Sequence, residues 1–275
     1  MENSSAFSDS EDLQWLERLK WALQNDGFCL ARQRIFPLQD DPNDAEHYEF
    51  LLRMLDESGD WISPGAFLPA ARRHDLSSRL DQWVIDAVLA WLVDHPDELQ
   101  RQSWCSINLS AQSMGDNRFL EHVIRQFVRS RVPPDKLCFE VAEVIATSHL
   151  SGAMVLIRAL KQRGCRFALD DFGSGLSAFG ELKNLPVDYL KIDGSFVKNI
   201  VKDPVARTIV RSIHEIGKVM GKQTIAEHVE DEEVLGQLKN IGVDYAQGYH
   251  LGRPENLAKV TAPTVEKQSN LSARG

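Results

Sequence analysis

Strand-like apolar runs alternate with helical patterns along most of this chain, and this alternation limits the fold more than any other feature. Helical patterns lie at residues 119–130, 153–164, 206–221 and 232–242, and the last three of them end in glycine, which commonly terminates a helix. Repeats of about 20 to 35 residues are typical of successive β-α units, which form a parallel sheet. Six of the strand-like runs are SINLS (106–110), LCFEVAE (137–143), RFALDDF (166–172), DYLKIDG (188–194), TIAEHVE (224–230) and DYAQGY (244–249).

Two further runs, CLARQRI (29–35) and HYEFLLRM (47–54), bring the number of predicted strands to eight. Eight strands in β-α order predict an α/β fold, a (β/α)8 TIM-like barrel. The segment FPLQDDPNDAE between these two runs is too short and too polar for a crossover helix. Parallel neighbours need a connection of roughly a dozen residues or more. We therefore expect the first strand to run antiparallel to the others.

The length of 275 residues and the 43% hydrophobic content predict one large domain with a full core. We expect this domain to cover residues 13–258, between a disordered N-terminus (1–12) and a loose C-terminal tail (259–275), which are polar. Apolar residues at helical spacing predict a lead-in helix from Leu13 to about Leu23. This helix either packs on the barrel or continues into an upstream domain.

The formal net charge of -9 argues against a basic surface that binds a nucleic-acid polymer. The four cysteines show no C-x-x-C spacing and lie in or beside apolar runs, which favours buried free thiols in a reducing compartment. No apolar run approaches the roughly 18 residues of a membrane segment, and the polar first residues do not resemble a secretory signal. These features predict a cytoplasmic chain, either by itself or as part of a longer, membrane-tethered protein.

Polar, chemically active residues recur where the predicted strands end. In a barrel of parallel strands, the loops after the carboxyl ends form the active site. Unrelated surface acids are the alternative, but recurrence over most of the chain favours one site. These residues are Glu49, Asn108, Glu140, Asp170, Asp171, Lys191, Glu227 and Gln247.

The adjacent Asp170 and Asp171 indicate metal binding. Their side chains start toward opposite faces unless the strand is already turning into the loop FGSG. One carboxylate then bridges two cations while the other completes one. With Glu49, Asn108 and Glu140, the donors are all oxygens and select Mg²⁺ or Mn²⁺ over zinc. Asn108 alone also fits a turn-capping amide.

Two cations about 3.5 to 4 Å apart are the usual device for hydrolysing a phosphodiester. Lys191 is a candidate to orient or help deprotonate the attacking water, and Glu227 to bind the second metal or act as the base. A lysine at this position also fits a simple ion pair at the barrel end. Gln33 and Arg53 are candidates for holding a phosphate or a base edge, although Arg53 also fits an ion pair with Asp56 or Glu57.

From about Leu16 to Pro254 the chain resembles the EAL-domain cyclic-di-GMP phosphodiesterases. The signature tripeptide stands here as Glu49-Phe50-Leu51, with phenylalanine in place of alanine. The motifs follow in order and at intervals like those of the family. They are SPGAFLPAA, INLS, FEVAE, ALDDFGSG, LPVDYLKIDGSFV, AEHVE and YAQGY.

The resemblance implies hydrolysis of cyclic di-GMP to linear pGpG with two Mg²⁺ or Mn²⁺ ions, and inhibition by Ca²⁺. It also implies a homodimer, with an upstream sensory or cyclase domain in longer members. Glu143 would tether the loop from Asp171 to Ser177. Further roles are implied as follows: Glu49, Asn108, Glu140 and Asp170 on the first metal; Asp170, Asp171 and Glu227 on the second; Lys191 on the water; Gln247 behind the second metal; Gln33 and Arg53 on the ligand.

Three positions depart from the family pattern. Ala142 stands in place of threonine, Arg72 in place of an acidic residue and His228 in place of glycine. We expect these changes to affect loop control and rate, because groups behind metal ligands tune affinity and activity. A catalytically weak module that senses cyclic di-GMP is the main alternative function. A barrel glycosidase with two carboxylates explains Lys191 and the paired aspartates poorly.

Overall fold

The computed structural model describes residues 9–25, 27–39, 45–56, 58–175 and 185–257. Eight strands close into a barrel, in the spatial order β1-β9-β8-β7-β6-β5-β4-β2, and β2 pairs with β1. The predicted eight-stranded barrel is therefore confirmed. Two short strands of two residues each lie outside this order: β3 pairs with β2, and β10 pairs with β1. The strands are β1 Phe28–Pro37, β2 Glu46–Leu55, β3 Trp61–Ile62, β4 Gln102–Asn108, β5 Leu137–Ala142, β6 Arg166–Phe172, β7 Tyr189–Ile192, β8 Gln223–Ala226, β9 Tyr245–Ala246 and β10 Glu255–Asn256.

Strand β1 runs antiparallel to both of its neighbours in the barrel. Gln33 pairs with Glu49 on β2, and Phe36 pairs with Ala246 on β9. The contacts from β2 through β4, β5, β6, β7 and β8 to β9 are all parallel. The antiparallel first strand is thus confirmed, together with the reasoning that a short polar connection leaves no room for a crossover helix.

Ten α-helices surround the barrel within the described residues. Four of them match helical patterns predicted above, and Asp231 caps the last, where its side chain accepts a hydrogen bond from Val234 N–H. The helices are α1 Asp9–Gln24, α2 Pro64–Arg73, α3 Ser77–Asp94, α4 Pro96–Arg101, α5 Asn117–Ser130, α6 Glu143–Ser148, α7 Leu150–Lys161, α8 Gly194–Val197, α9 Pro204–Val219 and α10 Glu232–Ile241.

Helices α2, α3 and α4 connect β2 to β4 and were not predicted from the sequence. In α3, consecutive residues such as Trp83, Val84 and Ile85 are all buried. A helix that is apolar on most of its circumference lacks the one-sided period by which helices are recognised. This is the physical reason that the pattern was weak.

Helix α1 begins at Asp9, four residues before the start of the lead-in helix predicted from the sequence. Asp12 forms ion pairs with Arg73 and His74, which fix the first turns of α1 against the end of α2. Residues 1–8 and the predicted tail at 259–275 lie outside the described residues.

The barrel interior is filled in layers, because strand side chains alternate between inside and outside. One layer is an aromatic and aliphatic plug, in which the His47 ring also packs at a tilt against Trp104. On most strands, the residue two positions nearer the carboxyl end carries a polar group of the predicted site. The plug consists of Ile35, Trp104, Cys138, Ala168, Tyr189 and Ile225, with Tyr245 packed against it.

All four cysteines are buried and free, as predicted. In the described part of the chain, no helix combines the length and the hydropathy that a bilayer crossing requires.

Candidate active site

One polar cluster lies directly above the aromatic plug, at the carboxyl ends of the parallel strands. Its members come from seven different strands and the loops after them, so closing the barrel is what brings them together. Four of its members are buried and three of these carry charge (Glu49, Glu140 and Lys191, with the neutral Gln247), Asp170 and Glu227 are half-buried, and Asn108 and Asp171 are exposed. The cluster comprises Glu49, Asn108, Glu140, Asp170, Asp171, Lys191, Glu227 and Gln247.

Lys191 lies at the centre of this cluster and is 1% exposed. Its Nζ lies 2.6 Å from Glu140 Oε2 and 2.9 Å from Glu227 Oε1. It also lies 3.4 Å from Asp170 Oδ1 and 3.5 Å from Glu49 Oε2. The ion-pair alternative and the predicted site therefore involve the same residues, because the partners of Lys191 are the predicted metal ligands.

Glu49 is held by neutral donors as well as by Lys191. Asn108 Nδ2 donates to Glu49 Oε1 at 2.7 Å, and Gln247 Nε2 donates to Glu49 Oε2 at 2.8 Å. The same Gln247 amide lies 3.2 Å from Gln33 Oε1. These bonds fix the direction of the Glu49 carboxylate before any ligand binds, and they show that the Asn108 amide is more than a turn cap.

The paired aspartates escape the usual alternation because β6 is irregular where they stand. Asp171 has φ of 53°, in the left-handed region. The register between β6 and β7 shifts between Leu169 and Phe172. As a result, a carboxylate oxygen of Asp170, one of Asp171 and one of Glu227 lie within 4.8 Å of one another. The strand thus turns as the paired-metal interpretation required.

The charges of the cluster do not balance. Five carboxylates (Glu49, Glu140, Asp170, Asp171 and Glu227) face one ammonium, so full ionisation leaves a net charge of about four negative units. Burial raises the pKa of Glu140 well above its usual value and that of Glu227 to about 8, against the opposing effect of Lys191. Protons on these carboxyl groups, or bound cations in their place, would reduce this excess of negative charge.

Two groups of the cluster keep their charge. Burial alone would raise the pKa of Glu49, but Lys191 and the bonds from Gln247 and Asn108 lower it below its usual value. Burial alone would lower the pKa of Lys191, but Asp170, Glu140 and the other carboxylates raise it well above its usual value. In the metal-free site these carboxylates therefore favour the protonated form of Lys191.

Divalent cations with oxygen ligands suit this donor set. Among the described residues, Glu140 Oε1 is buried and lacks a hydrogen-bond partner, an arrangement that costs free energy unless a cation or water satisfies the oxygen. The donors are carboxylate and amide oxygens, without thiol or imidazole. Mg²⁺ and Mn²⁺ prefer this chemistry.

Glu143 is placed as predicted, and Ala142 beside it has a structural consequence. Glu143 Oε2 accepts a hydrogen bond of 2.8 Å from Gly173 N–H, in the loop that follows the paired aspartates. Ala142 occupies the N-cap of α6 with extended backbone angles, but it has no side chain to cap the helix. Ser177 lies outside the described residues, as does its end of the loop.

His228, directly after Glu227, has φ of 55°. This left-handed backbone position explains why the family pattern has glycine there. The His228 ring covers Gly194, where a Cβ would lie 2.2 Å from His228 Cδ2. The His228 ring can thus occupy this space because position 194, at the start of α8, is a glycine.

The two predicted ligand contacts differ in position. Gln33 is buried beside Gln247, and its Nε2 donates to Gly252 O at 2.9 Å. Arg53 donates to Leu52 O and stacks over Trp61, with 5.6 Å between the guanidinium carbon and the ring centroid. Its ion pair with Asp56 does not form, since the Asp56 carboxylate accepts from Ser58 and Asp60. Glu57 lies outside the described residues.

A cavity of about 450 Å³ opens beside the carboxylates, between α2, α3 and the loops after β4 and β5. Asn108, Asp170 and Asp171 line one side, and apolar residues of α2 and α3 line much of the remainder. A polar end beside apolar walls is typical of small-ligand sites. The cavity therefore borders the exposed side of the carboxylate cluster and is the candidate ligand cavity.

Asp81 is a residue of this cavity that the sequence analysis missed. Its Oδ2 accepts hydrogen bonds from Ser110 N–H at 2.8 Å, Ser110 Oγ at 2.6 Å and Ser113 Oγ at 2.6 Å. Asp81 therefore fixes the segment that follows Asn108. An acidic residue within the apolar stretch LDQWVIDAVL was the available signal.

Comparisons with known proteins agree with this architecture. Residues 16–254 match the EAL domain. Cyclic di-GMP phosphodiesterase PdeB of Shewanella oneidensis is 38% identical over 89% of the chain, and PdeF of Escherichia coli, with the same description, is 36% identical over 88%. The chain spans 28% and 32% of the lengths of these two relatives.

A solved structure gives the same result. The crystal structure of the FimX EAL domain from Pseudomonas aeruginosa bound to c-di-GMP superposes with a TM-score of 0.82 and 31% identity. The match covers 90% of this chain and 99% of that one. By its sequence match and its barrel, the chain belongs to the EAL-domain family.

Proposed function

We propose that this chain hydrolyses cyclic di-GMP to linear pGpG with the help of two divalent metal ions. The observation that carries the proposal is the complete set of carboxylates around Lys191, next to a cavity of about 450 Å³. The names of the relatives PdeB and PdeF support the same substrate and reaction.

Glu49, Asn108, Glu140 and Asp170 would hold the first ion; Asp170, Asp171 and Glu227 would hold the second. When bound, Mg²⁺ or Mn²⁺ supplies a hydroxide near neutral pH and neutralises charge on the phosphate. Gln247 and Gln33 keep the Glu49 carboxylate in position through the hydrogen bonds described above.

Lys191 and Glu227 handle the water and its proton in this proposal. The Lys191 ammonium donates hydrogen bonds and is close enough to the carboxylates to orient a water among them. Glu227 would accept the proton of that water, because its carboxylate lies 2.9 Å from Lys191 Nζ, beside the position that the water would occupy. Glu49 is the third catalytic residue of this proposal, because its carboxylate lies between Lys191 and Asn108.

Binding without hydrolysis is the second candidate. The FimX EAL domain, which is described as bound to c-di-GMP, favours it. Every predicted metal ligand is nevertheless present in this chain and faces the cluster. We therefore place the enzyme ahead of a sensor module.

Incubation of the purified protein with cyclic di-GMP and Mg²⁺ or Mn²⁺, followed by chromatography, tests the proposal. We expect pGpG to form, and Glu49→Ala or Lys191→Ala to abolish its formation. Lys239→Ala, on an exposed position of α10, is a control that removes a lysine outside the site and should retain full activity. Tight binding without product under both metals would leave the sensor as the correct function.

Three further properties follow from the family and belong to this proposal. Ca²⁺ should inhibit, because its larger ion and irregular coordination suit a paired-metal site poorly. The chain should form a homodimer, which sedimentation tests, and an upstream sensory or cyclase domain would accompany it in a longer protein. The buried free cysteines support a cytoplasmic location.

A further inference from the structure

Arg72 is the one basic residue that lines the cavity in the described part of the chain. Its guanidinium has no hydrogen-bond or ion-pair partner among the described residues, whereas the neighbouring Arg73 pairs with Asp12. The backbone carbonyl of Arg72 is fixed, because Gln112 Nε2 donates to it at 3.0 Å. The backbone of Arg72 is thus fixed at a wall of the ligand cavity, while its guanidinium has no partner among the described residues.

The surroundings of Arg72 suit a nucleobase better than a phosphate. Pro64, Leu68 and Arg72 recur at intervals of four residues on α2, and all three line the cavity. Leu80 and Val84 of α3 add apolar surface to the same cavity. An apolar wall fits the flat face of a purine, while the phosphates belong near the metal-binding carboxylates.

Guanine and adenine offer different atoms to a guanidinium. Guanine presents two acceptors, O6 and N7, which arginine contacts through two hydrogen bonds. Adenine presents the acceptor N7 beside the donor N6–H₂, which would face the guanidinium donors. An arginine at the edge of the base therefore discriminates between the two purines.

We propose that Arg72 is a specificity-determining residue, whose guanidinium donates to O6 and N7 of one guanine of the bound cyclic dinucleotide. This inference rests on the proposed function for the identity of the ligand. The proposed contact is made by Arg72, which stands where the family pattern has an acidic residue.

Binding of cyclic di-GMP and cyclic di-AMP in EDTA tests this contact without turnover. Competition against a fluorescent cyclic di-GMP gives both dissociation constants for the wild type and for Arg72→Ala, Arg72→Lys and Arg79→Ala. We expect Arg72→Ala to weaken cyclic di-GMP about 10- to 100-fold and to leave cyclic di-AMP within about threefold. The dissociation constant of Arg72→Lys for cyclic di-GMP should lie between those of the wild type and Arg72→Ala, because lysine keeps the charge but lacks the planar fork of arginine.

Arg79→Ala is the matched control, because Arg79 is exposed on α3, does not line the cavity and removes the same charge. It should change both constants less than about twofold. Unchanged discrimination between the two ligands in Arg72→Ala overturns the inference, whether both bind equally more weakly or neither changes. Wild-type protein that binds cyclic di-GMP neither in EDTA nor in Ca²⁺, which should prevent turnover, would instead remove the proposed function.

Discussion

His228 and Gly194 depend on each other, although 34 positions separate them in the sequence. A non-glycine residue in the left-handed region costs about 1–2 kcal/mol. The His228 ring also occupies the space in which a Cβ at Gly194 would lie, 2.2 Å from its Cδ2. The glycine at 194 is therefore needed because position 228 holds a histidine.

Gly194→Ala should be destabilising in the wild type and far less so in a His228→Gly background, because the second change removes the clashing ring. We expect a coupling free energy of at least about 1 kcal/mol, measured by urea unfolding of both single variants and the double variant. Additive losses would show that the ring moves aside without cost.

Most catalytic candidates could be predicted from the sequence, because carboxylates such as Glu140 and Glu227 end apolar strands in a recognisable motif order. The link between His228 and Gly194 could not be predicted. It depends on a backbone angle and on a contact between segments that meet only in the folded barrel. The alternative ion pair between Arg53 and Asp56 is absent, and Asp56 instead accepts local turn bonds from Ser58 and Asp60, which the spacing alone did not indicate.

Helix α3 is joined to the active-site rim through Asp81. Burial raises the pKa of Asp81 to about 6, although hydrogen bonds from Ser110 and Ser113 oppose the rise. A folded pKa above the unfolded value near 3.8 means that the native state binds the proton more tightly. Its contribution to stability is full below the unfolded pKa and is lost as the pH rises through about 6.

We expect wild-type protein to lose about 2 kcal/mol of unfolding free energy relative to Asp81→Asn between about pH 4.5 and about pH 7.5. Asparagine keeps the shape but does not ionise, so the comparison isolates this carboxyl group. Denaturant unfolding at both pH values measures the difference. Parallel pH profiles would mean that Asp81 ionises in the fold as easily as in the unfolded chain.

Helix α6 begins without a side-chain cap because position 142 is alanine. Ala142→Thr should raise the free energy of unfolding by about 1 kcal/mol, since threonine at an N-cap accepts from a free backbone N–H of the first turn. The same change should strengthen metal binding, because Glu143 in that turn holds Gly173. Ala142→Val, which has a similar shape but no hydroxyl, is the control, and an equal gain from valine would exclude capping.

The helices that follow strands were predictable where one face is apolar, as in α5 and α9. Helix α3 was missed because it is buried on several sides, so its pattern carries no single period. The sequence indicated only that the strand must turn at Asp171 if both aspartates are to bind metal ions at one site. Its cause, a register shift between β6 and β7, is a property of the assembled sheet.

The barrel as a whole carries concentrated negative charge at one rim, so divalent cations should stabilise the folded protein. At a free Mg²⁺ or Mn²⁺ concentration about 100 times the dissociation constant, we expect a gain of about 2.7 kcal/mol for one bound ion. Thermal unfolding with and without EDTA, at matched ionic strength, measures it. Asp170→Ala should lose most of this gain, and an equal gain in that variant would indicate general screening.

The antiparallel β1 changes how the chain enters the barrel. Phe28, the first residue of β1, pairs with Met54 near the carboxyl end of β2, so the chain arrives on the rim that carries the active site. Helix α1 therefore lies against α2, to which Asp12 joins it, and α2 forms the wall that holds Pro64, Leu68 and Arg72. A displacement of α1 would therefore be passed to the wall of the ligand cavity through its contact with the end of α2.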